Sequence, residues 1–385
     1  MAKTHFSISK REFLKCGLLG AGAVFSGIGI PVLANPFSGM FNMPEDKLWK
    51  WSKEGMYYAE TPRGIKCLIC PNECTLKENE VSTCHNRTVV GNKLYTIAYG
   101  NPCAVHIDPV EKKPFYHFLP SSSAFSIATA GCNFACLNCQ NWTISQVSPK
   151  ETQNYDLMPS RVVEECLKYG CESIAYTYSE PITFYEYTLD TAKIAREKGI
   201  RNILHSAGYI NEEPLRNLCR YIDAVNIDLK SFKESIYLKL SAGKLQPVLN
   251  TLKVLKEEGV WLEITNLIVP GWTDDMEMIR EMCQWLHDNG FDETPIFFSR
   301  FQPLYKLTQL PATPLAAITE ARKIAMDAGL KYVYSGNVPG SDSENTNCPK
   351  CKKGIVLRRG YTIVENHLNK GNCKFCGEKI PGVWL

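Results

Sequence analysis

The sequence predicts an α/β protein built on a partial (β/α)6 barrel that is open on one side. Strand-like and amphipathic helix-like segments alternate between residues 125 and 335. This order predicts parallel strands joined by right-handed helical crossovers. Cysteine groups precede and follow this region, and a third group lies directly after its first strand. We therefore expect a barrel with a metal centre at its ligand-binding end and metal-binding modules before and after it.

The predicted strands are short apolar runs, and the predicted helices carry an apolar stripe with helical spacing. Several helices have Ser, Asp or Thr just ahead of them, as helix starts commonly do. Strands are expected at residues 125–130, 173–178, 202–206, 224–229, 261–269, 295–301 and 331–335, and the clearest helices at 161–169, 182–198, 277–289 and 314–328.

Composition indicates a folded protein with one sizeable core and a smaller module. The 385 residues are 44% hydrophobic and 22% charged, and the net charge of +3 does not imply nucleic acid as a partner. We expect a targeting segment at 1–34, a linker at 35–60 and an N-terminal cysteine-rich metal-binding segment at 61–120. The barrel core then covers 121–340, and a zinc-ribbon-like module covers 341–385.

The loop after the first strand places Cys132, Cys136 and Cys139 in a C-x3-C-x2-C pattern. A [4Fe–4S] cluster normally takes four cysteine ligands, so three thiolates leave one iron free for another ligand. The alternative is a zinc knuckle, which needs a fourth ligand nearby. No Cys or His lies between Cys139 and Cys166, which favours the cluster.

Most of the other cysteines also have metal-ligand spacing, which indicates metal binding rather than disulfides among the 17 cysteines. The upstream set suits either zinc or a second iron–sulfur cluster. The downstream set has the spacing of a zinc ribbon. The upstream set is Cys67, Cys70, Cys74 and Cys84, and the downstream set is Cys348, Cys351, Cys373 and Cys376.

The three-cysteine loop, placed after the first strand, closely resembles that of the radical-SAM superfamily. The resemblance implies a partial barrel and a [4Fe–4S] cluster that binds S-adenosylmethionine. It also implies reductive cleavage of this cofactor to a 5′-deoxyadenosyl radical, which abstracts hydrogen from a substrate. Glu180 matches the position that binds the cofactor's amino group, although a carboxylate there also suits a helix N-terminus.

The third and fourth strands resemble those of the pyruvate formate-lyase activating enzymes. Asp228 and Lys230 match an Asp-x-Lys that helps to hold the carboxylate and ribose region of the cofactor, and Ser206 is expected beside it. The third strand departs from the Asp-Thr-Asn-Gly of activases, because it has His205, Ser206 and Ala207. Asn138 also departs, since most radical-SAM proteins have an aromatic residue there, near the adenine.

The joint pattern closely resembles the radical-SAM enzyme family of the AmmeMemoRadiSam system. It comprises the charged and aromatic run 108–118, both four-cysteine sets and the segment 139–146. The resemblance implies Memo-type and AMMECR-type partners and an electron donor such as flavodoxin or ferredoxin. The substrate, a small molecule or a protein, stays open. By itself, the run 108–118 is interpreted as a solvated loop running into a strand. Tyr116, His117 and His205 are expected at the active-site rim.

The functional prediction is a radical-SAM enzyme, and two alternatives stay open. One is an activase that abstracts hydrogen from a glycine of a partner protein. The other is an iron–sulfur electron-transfer or metal-binding protein without catalysis.

The N-terminus resembles a twin-arginine export signal, with Lys10 where the first arginine is expected. An uncharged stretch covers residues 16–34. Export to the periplasm or the membrane is therefore predicted. An uncleaved membrane anchor and a cytoplasmic helix are the alternatives.

Overall fold

The computed structural model describes residues 48–338 and 340–384 of the chain. The predicted export signal and half of the predicted linker lie outside these residues. The described residues from Trp51 onward belong to one compact unit, Trp51–Leu385. None of the described helices is long and apolar enough to cross a membrane.

The N-terminal segment forms two small antiparallel sheets. One has the strand order β1-β6-β5 and the other β2-β3-β4. Their strands are β1 (Lys53–Glu54), β2 (Tyr58–Thr61), β3 (Gly64–Cys67), β4 (Thr75–Leu76), β5 (Arg87–Val90) and β6 (Lys93–Thr96). The four upstream cysteines lie at strand ends and in turns of this segment.

The central sheet has eight strands, which lie side by side in the order of the sequence. They are β7 (Ala104–Pro109), β8 (Ser123–Ala128), β9 (Ser173–Tyr176), β10 (Arg201–Ser206), β11 (Ala224–Asp228), β12 (Trp261–Ile268), β13 (Ile296–Arg300) and β14 (Val333–Gly336). Strands β8 to β14 are parallel, and β7 pairs antiparallel with β8. The seven predicted strands are therefore confirmed, and β7 is an eighth.

Helices connect the parallel strands, as the alternating pattern predicted. They are α1 (Trp142–Ser145), α2 (Pro159–Lys168), α3 (Tyr185–Glu197), α4 (Glu212–Cys219), α5 (Glu234–Ile236), α6 (Leu245–Glu257), α7 (Met276–Asp288) and α8 (Leu315–Asp327). A π-helical turn, Tyr237–Ser241, continues α5. The 3-10 turn Pro181–Phe184 takes the first residues of the helix predicted at 182–198, whose α-helical part begins at Tyr185.

Successive strand residues face opposite sides of a sheet, and here the two sides have different partners. Phe125 and Ile127 pack in the large core that contains the helices, together with the residues of neighbouring strands that face the same side of the sheet. Ala124 lies on the opposite side, which we call the inner face. With Ala175, Ile203 and Ala224 it packs against Val110, Phe115, Phe118 and Leu119. These strand side chains are small or of medium size, so the segment 110–119 can lie close against the strands.

The prediction of a solvated loop at residues 108–118 is wrong. Asp108 lies in β7, and both Asp108 and Lys113 are buried. Lys113 Nζ lies 2.6 Å from Asp108 Oδ2 and 3.9 Å from the centre of the Tyr178 ring. The segment is buried because it covers the inner face, and its charges tolerate burial because they are paired.

The C-terminal module packs onto the same inner face. It consists of β15 (Thr346–Asn347), β16 (Gly354–Arg359), β17 (Thr362–Asn366), β18 (Leu368–Asn369) and β19 (Asn372–Cys373). Tyr116, Phe297 and Tyr334 share a core with its residues Cys348 and Ile355. Phe297 and Tyr334 are the second residues of β13 and β14, so the module covers the amino-terminal end of these strands.

Candidate active site

The three-cysteine loop leaves β8 and runs beside the π-helical turn. Ala135 N donates to Ser241 O at 3.0 Å, and Leu137 N donates to Leu240 O at 2.9 Å. Gly131 opens the loop with a φ of 98°. A side chain there would come within 2.4 Å of Cys84 O, so the loop requires glycine at this position.

The three thiols of this loop are suited to a metal cluster. Burial, together with the nearby charge of Glu180, raises the pKa of Cys132 well above its usual value. Burial also raises the pKa of Cys136, and the ammonium of Lys230 opposes that rise. A coordinating metal would deprotonate such thiols. Three free thiols in one short loop are the donor set that the predicted cluster takes.

Glu180 follows β9, and its buried carboxylate connects this strand end to the next. Oε1 accepts hydrogen bonds from Ser206 Oγ at 2.6 Å and Ile182 N at 3.2 Å, and Oε2 accepts one from Ala207 N at 2.8 Å. Burial raises the pKa of Glu180, while these hydrogen bonds oppose the rise. The structure thus brings together Glu180 and Ser206, which were both predicted to contact the cofactor.

Asp228 joins His205 and Lys230 in a second polar group at the ends of β10 and β11. Asp228 Oδ2 lies 3.0 Å from Lys230 Nζ, and Oδ1 lies 3.1 Å from His205 Nε2. Burial alone would raise the pKa of Asp228, but Lys230 and His205 hold it well below its usual range. Lys230 also acts electrostatically on Cys136. Both polar groups therefore lie within electrostatic reach of the three-cysteine loop.

Tyr116 and His117 do not lie at an open rim with His205, so their predicted location is corrected. His117 is fully buried, with Nε2 2.6 Å from Tyr334 Oη and Nδ1 2.7 Å from Pro381 O. Burial lowers its pKa to about 3. The backbone N–H groups of Tyr116 and His117 donate to Glu263, each at 2.9 Å. The C-terminal module and the segment 110–119 bury both side chains.

Sequence reasoning missed Tyr178, which connects the Glu180 loop to the inner face. Its φ is 64°, and its carbonyl accepts a hydrogen bond from Asn141 Nδ2 at 2.6 Å. Its hydroxyl bonds Asp108, and its ring lies edge-on to His106 at 5.4 Å. In the sequence, the position of Tyr178 two residues before Glu180 was the feature that could have indicated its place near the site.

Asn138 lies beside Cys139, and its buried side-chain oxygen has no hydrogen-bond partner among the described residues. A buried acceptor without a donor is unfavourable. A donor on a ligand could satisfy this acceptor once a local shift of the loop exposes the oxygen.

The C-terminal cysteines form a compact group of four. Their sulfurs all lie within 4.8 Å of one another, with Cys348 and Cys376 3.6 Å apart and Cys351 and Cys373 3.7 Å apart. Lys352 N donates to Cys348 O at 2.9 Å, and Gly377 N donates to Cys373 O at 2.8 Å, so both C-x2-C pairs use the same turn. This group can hold one metal ion.

The upstream cysteines, Cys67, Cys70, Cys74 and Cys84, line a cavity in the N-terminal segment. Its wall includes Asn133 of the three-cysteine loop. The structure therefore brings the upstream set next to the predicted cluster site.

Comparisons with known proteins are consistent with the α/β fold and the three-cysteine site described above. Residues 126–286 match the family model described as the radical SAM superfamily. The chain is 44% identical over 331 residues to the uncharacterized protein MJ0808 of Methanocaldococcus jannaschii, covering 85% of this chain and 98% of that protein. The chain therefore belongs to the same family as MJ0808, and it contains a radical SAM domain.

More distant relatives include an activase. The chain is 26% identical to the pyruvate formate-lyase 1-activating enzyme of Escherichia coli K12, over 42% of this chain and 67% of that protein. A radical SAM methyltransferase from Sphaerobacter thermophilus matches with a TM-score of 0.45 and 14% identity, over 57% of this chain and 67% of that one. The protein is a radical SAM enzyme with homology to glycyl-radical enzyme activases.

Proposed function

We propose that the chain cleaves S-adenosylmethionine reductively at a [4Fe–4S] cluster held by Cys132, Cys136 and Cys139. The cluster supplies one electron for cleavage to methionine and a 5′-deoxyadenosyl radical, which abstracts hydrogen from a substrate. The observation that carries this proposal is the convergence of the three thiols with two polar groups at the carboxyl ends of β8 to β11. Binding sites in barrels of this type lie at those ends.

The two polar groups match the charges of the cofactor. The Glu180 carboxylate, oriented by Ser206, is suited to the cofactor's ammonium group. The Lys230 ammonium, close to Cys136, is suited to its carboxylate, and Asp228 with His205 can accept hydrogen bonds from ribose hydroxyls. These residues therefore bind and orient the cofactor. Transfer of a hydrogen atom needs such positioning.

The Asn138 oxygen is proposed to accept a hydrogen bond from the adenine amino group. We expect Asn138→Ala to weaken cofactor binding about 10-fold, since a hydrogen bond to a buried polar group contributes about 1 kcal/mol or more. Stability should not fall, because the variant also removes an unpaired buried acceptor. Calorimetric titration with S-adenosylmethionine measures the change, and Asn250→Ala on the exposed side of α6 is the control. Equal affinities would contradict this role.

Formation of 5′-deoxyadenosine tests the proposed reaction. The anaerobically reconstituted protein with dithionite and S-adenosylmethionine should form it, and Cys136→Ala should reduce formation to background. No product from a wild-type protein with an intact [4Fe–4S] spectrum would instead favour an electron-transfer or metal-binding protein.

A glycyl-radical activase is the second candidate, because the chain is also similar to a putative glycyl-radical enzyme activating enzyme of M. jannaschii. In that case the substrate is a glycine of a partner protein rather than a small molecule. The glycyl radical would be seen by electron paramagnetic resonance on a co-expressed partner.

Zinc is proposed for the C-terminal four-cysteine group. Zn–S bonds of about 2.3 Å place the sulfurs of a tetrahedron about 3.8 Å apart. The separations of 3.6 and 3.7 Å match that value. Metal analysis of the purified protein checks the assignment.

Partners and location are also proposals. A flavodoxin or ferredoxin is proposed as the reductant, and Memo-type and AMMECR-type proteins are proposed as partners on the strength of the family resemblance. Export of the metal-loaded protein is proposed from the twin-arginine-like segment. Co-purification tests the partners, and detection of the protein in a periplasmic or membrane fraction tests export.

A further inference from the structure

The four upstream thiols surround a cavity of about 320 Å³ of empty space, part of it open to solvent. Cys67 ends β3, Cys70 and Cys74 lie in the turn before β4, and Cys84 precedes β5. Cys67 and Cys84 are buried, whereas Cys70 and Cys74 are partly exposed. The cavity therefore has a buried side and a side near the protein surface.

The spacing of these thiols distinguishes their site from that of the C-terminal cysteines. Within residues 48–338 and 340–384, the C-terminal four are the one group of three or more candidate ligands whose atoms all lie within 4.8 Å of one another. A single tetrahedral ion needs sulfurs about 3.8 Å apart. No three of the upstream sulfurs lie all within 4.8 Å of one another, and the three sulfurs of the three-cysteine loop do not either. A [4Fe–4S] core requires wider spacing, because each thiolate binds a different iron.

Hydrogen-bond donors also face this cavity. Arg87 lines the cavity and is buried. Its Nη1 lies 2.6 Å from Glu186 Oε1, and its Nη2 has no hydrogen-bond partner within the part of the chain that the structure describes. The Ser82 hydroxyl lies 3.1 Å from Cys84 Sγ, and the Thr83 hydroxyl lies 3.3 Å from Cys74 Sγ. Hydrogen-bond donors to sulfur stabilise a negatively charged cluster.

The cavity adjoins the three-cysteine loop directly. A Cβ on Gly131 would lie 2.4 Å from both Cys84 O and Asn86 Oδ1, so the two backbone segments are in contact. Asn72 Nδ2, from the turn between Cys70 and Cys74, donates to Asn133 O at 2.8 Å. Asn133 follows Cys132 and lines the cavity. Two clusters at these places would be close neighbours.

We propose that Cys67, Cys70, Cys74 and Cys84 hold a second [4Fe–4S] cluster that relays electrons to the three-cysteine loop. A donor of the flavodoxin or ferredoxin class loses one electron, the second cluster gains it and then passes it to the first. No bond forms or breaks in this step. The proposed relay rests on the proposed function, because it delivers electrons to the cluster of the three-cysteine loop. The presence of a second cluster does not depend on that function.

The metal content of the anaerobically reconstituted full chain tests the second cluster. The wild type should contain about eight iron and eight sulfide ions per chain. The double variant Cys70→Ala with Cys74→Ala should contain about four, as should Cys136→Ala, and Cys103→Ser, at a solitary cysteine, should match the wild type. Four iron ions retained in the double variant would also show that it folds. About four iron ions with two zinc ions in the wild type would overturn the proposal.

The relay is tested by freeze-quench electron paramagnetic resonance, without any need for cofactor cleavage. Reduced flavodoxin should reduce the three-cysteine cluster at least 10-fold more slowly in the double variant Cys70→Ala with Cys74→Ala than in Cys103→Ser. Equal rates would contradict the relay even if both clusters are present. If the wild type forms no 5′-deoxyadenosine, the proposed function fails, but iron content and reduction rates still decide this inference.

Discussion

Replacing Cys376 with serine is expected to release the C-terminal metal and to lower the free energy of unfolding by at least about 4 kcal/mol. Loss of a structural metal is among the largest single-residue effects. The module around this site has five short strands, and its core is shared with Tyr116, Phe297 and Tyr334 of the inner face. Its loss would therefore expose part of the main domain as well.

Urea denaturation followed by tryptophan fluorescence measures the effect, since Trp384 packs in this core. Zinc content is measured on the same samples. Cys103→Ser is the matched control, because Cys103 belongs to none of the cysteine sets and should affect neither quantity strongly. A Cys376→Ser protein that has lost its metal but keeps wild-type stability would contradict the structural role of the site.

Asp108→Asn is expected to destabilise the protein by about 3–5 kcal/mol, because it leaves a buried ammonium without its counterion. Lys113 is almost fully buried, and desolvation lowers its pKa to about 8 despite the attraction of Asp108. Asp108 also bonds the Tyr178 hydroxyl and Lys112. The variant should therefore disturb both the inner face and the loop that carries Glu180.

Two further variants test whether the unpaired charge causes this loss of stability. Lys112→Met removes the partly exposed partner of the same carboxylate and should cost less than about 1 kcal/mol. The double variant Asp108→Asn with Lys113→Met should recover most of the stability lost in the single variant, since no unpaired charge remains. Urea titrations of the three variants give the comparison. Equal loss in the single and double variants would show that the charge is not the cause.

The parallel sheet and most of the site could be predicted because their determinants are local. Apolar runs mark the strands, and short cysteine spacing marks the candidate metal sites. The carboxyl ends of parallel strands meet at one edge, so His205, Ser206 and Asp228 were expected close together. The structure shows these residues bonded to one another or to Glu180 and Lys230.

The inner face could not be predicted, because its contacts join residues distant in sequence. Strand β7 carries His106 and Asp108, which are residue types typical of a loop. Only the structure shows that Asp108 pairs with Lys113 and that Tyr178 contacts both His106 and Asp108. The burial of His117 depends on Pro381, 264 residues away. Nothing local to residues 116–117 indicates that the chain end covers them.

The pairing of residues 117–119 with Val383 also affects when the protein can fold. Leu119 N donates to Val383 O, and Val383 N donates to His117 O, each at 2.7 Å. At about 5–20 residues per second, the ribosome needs on the order of tens of seconds to extend the chain from one partner to the other. During that time the emerging chain lacks the last layer of its inner face. Completion of this core therefore waits for the synthesis of Val383, and chaperones have a long interval in which to bind the exposed strands.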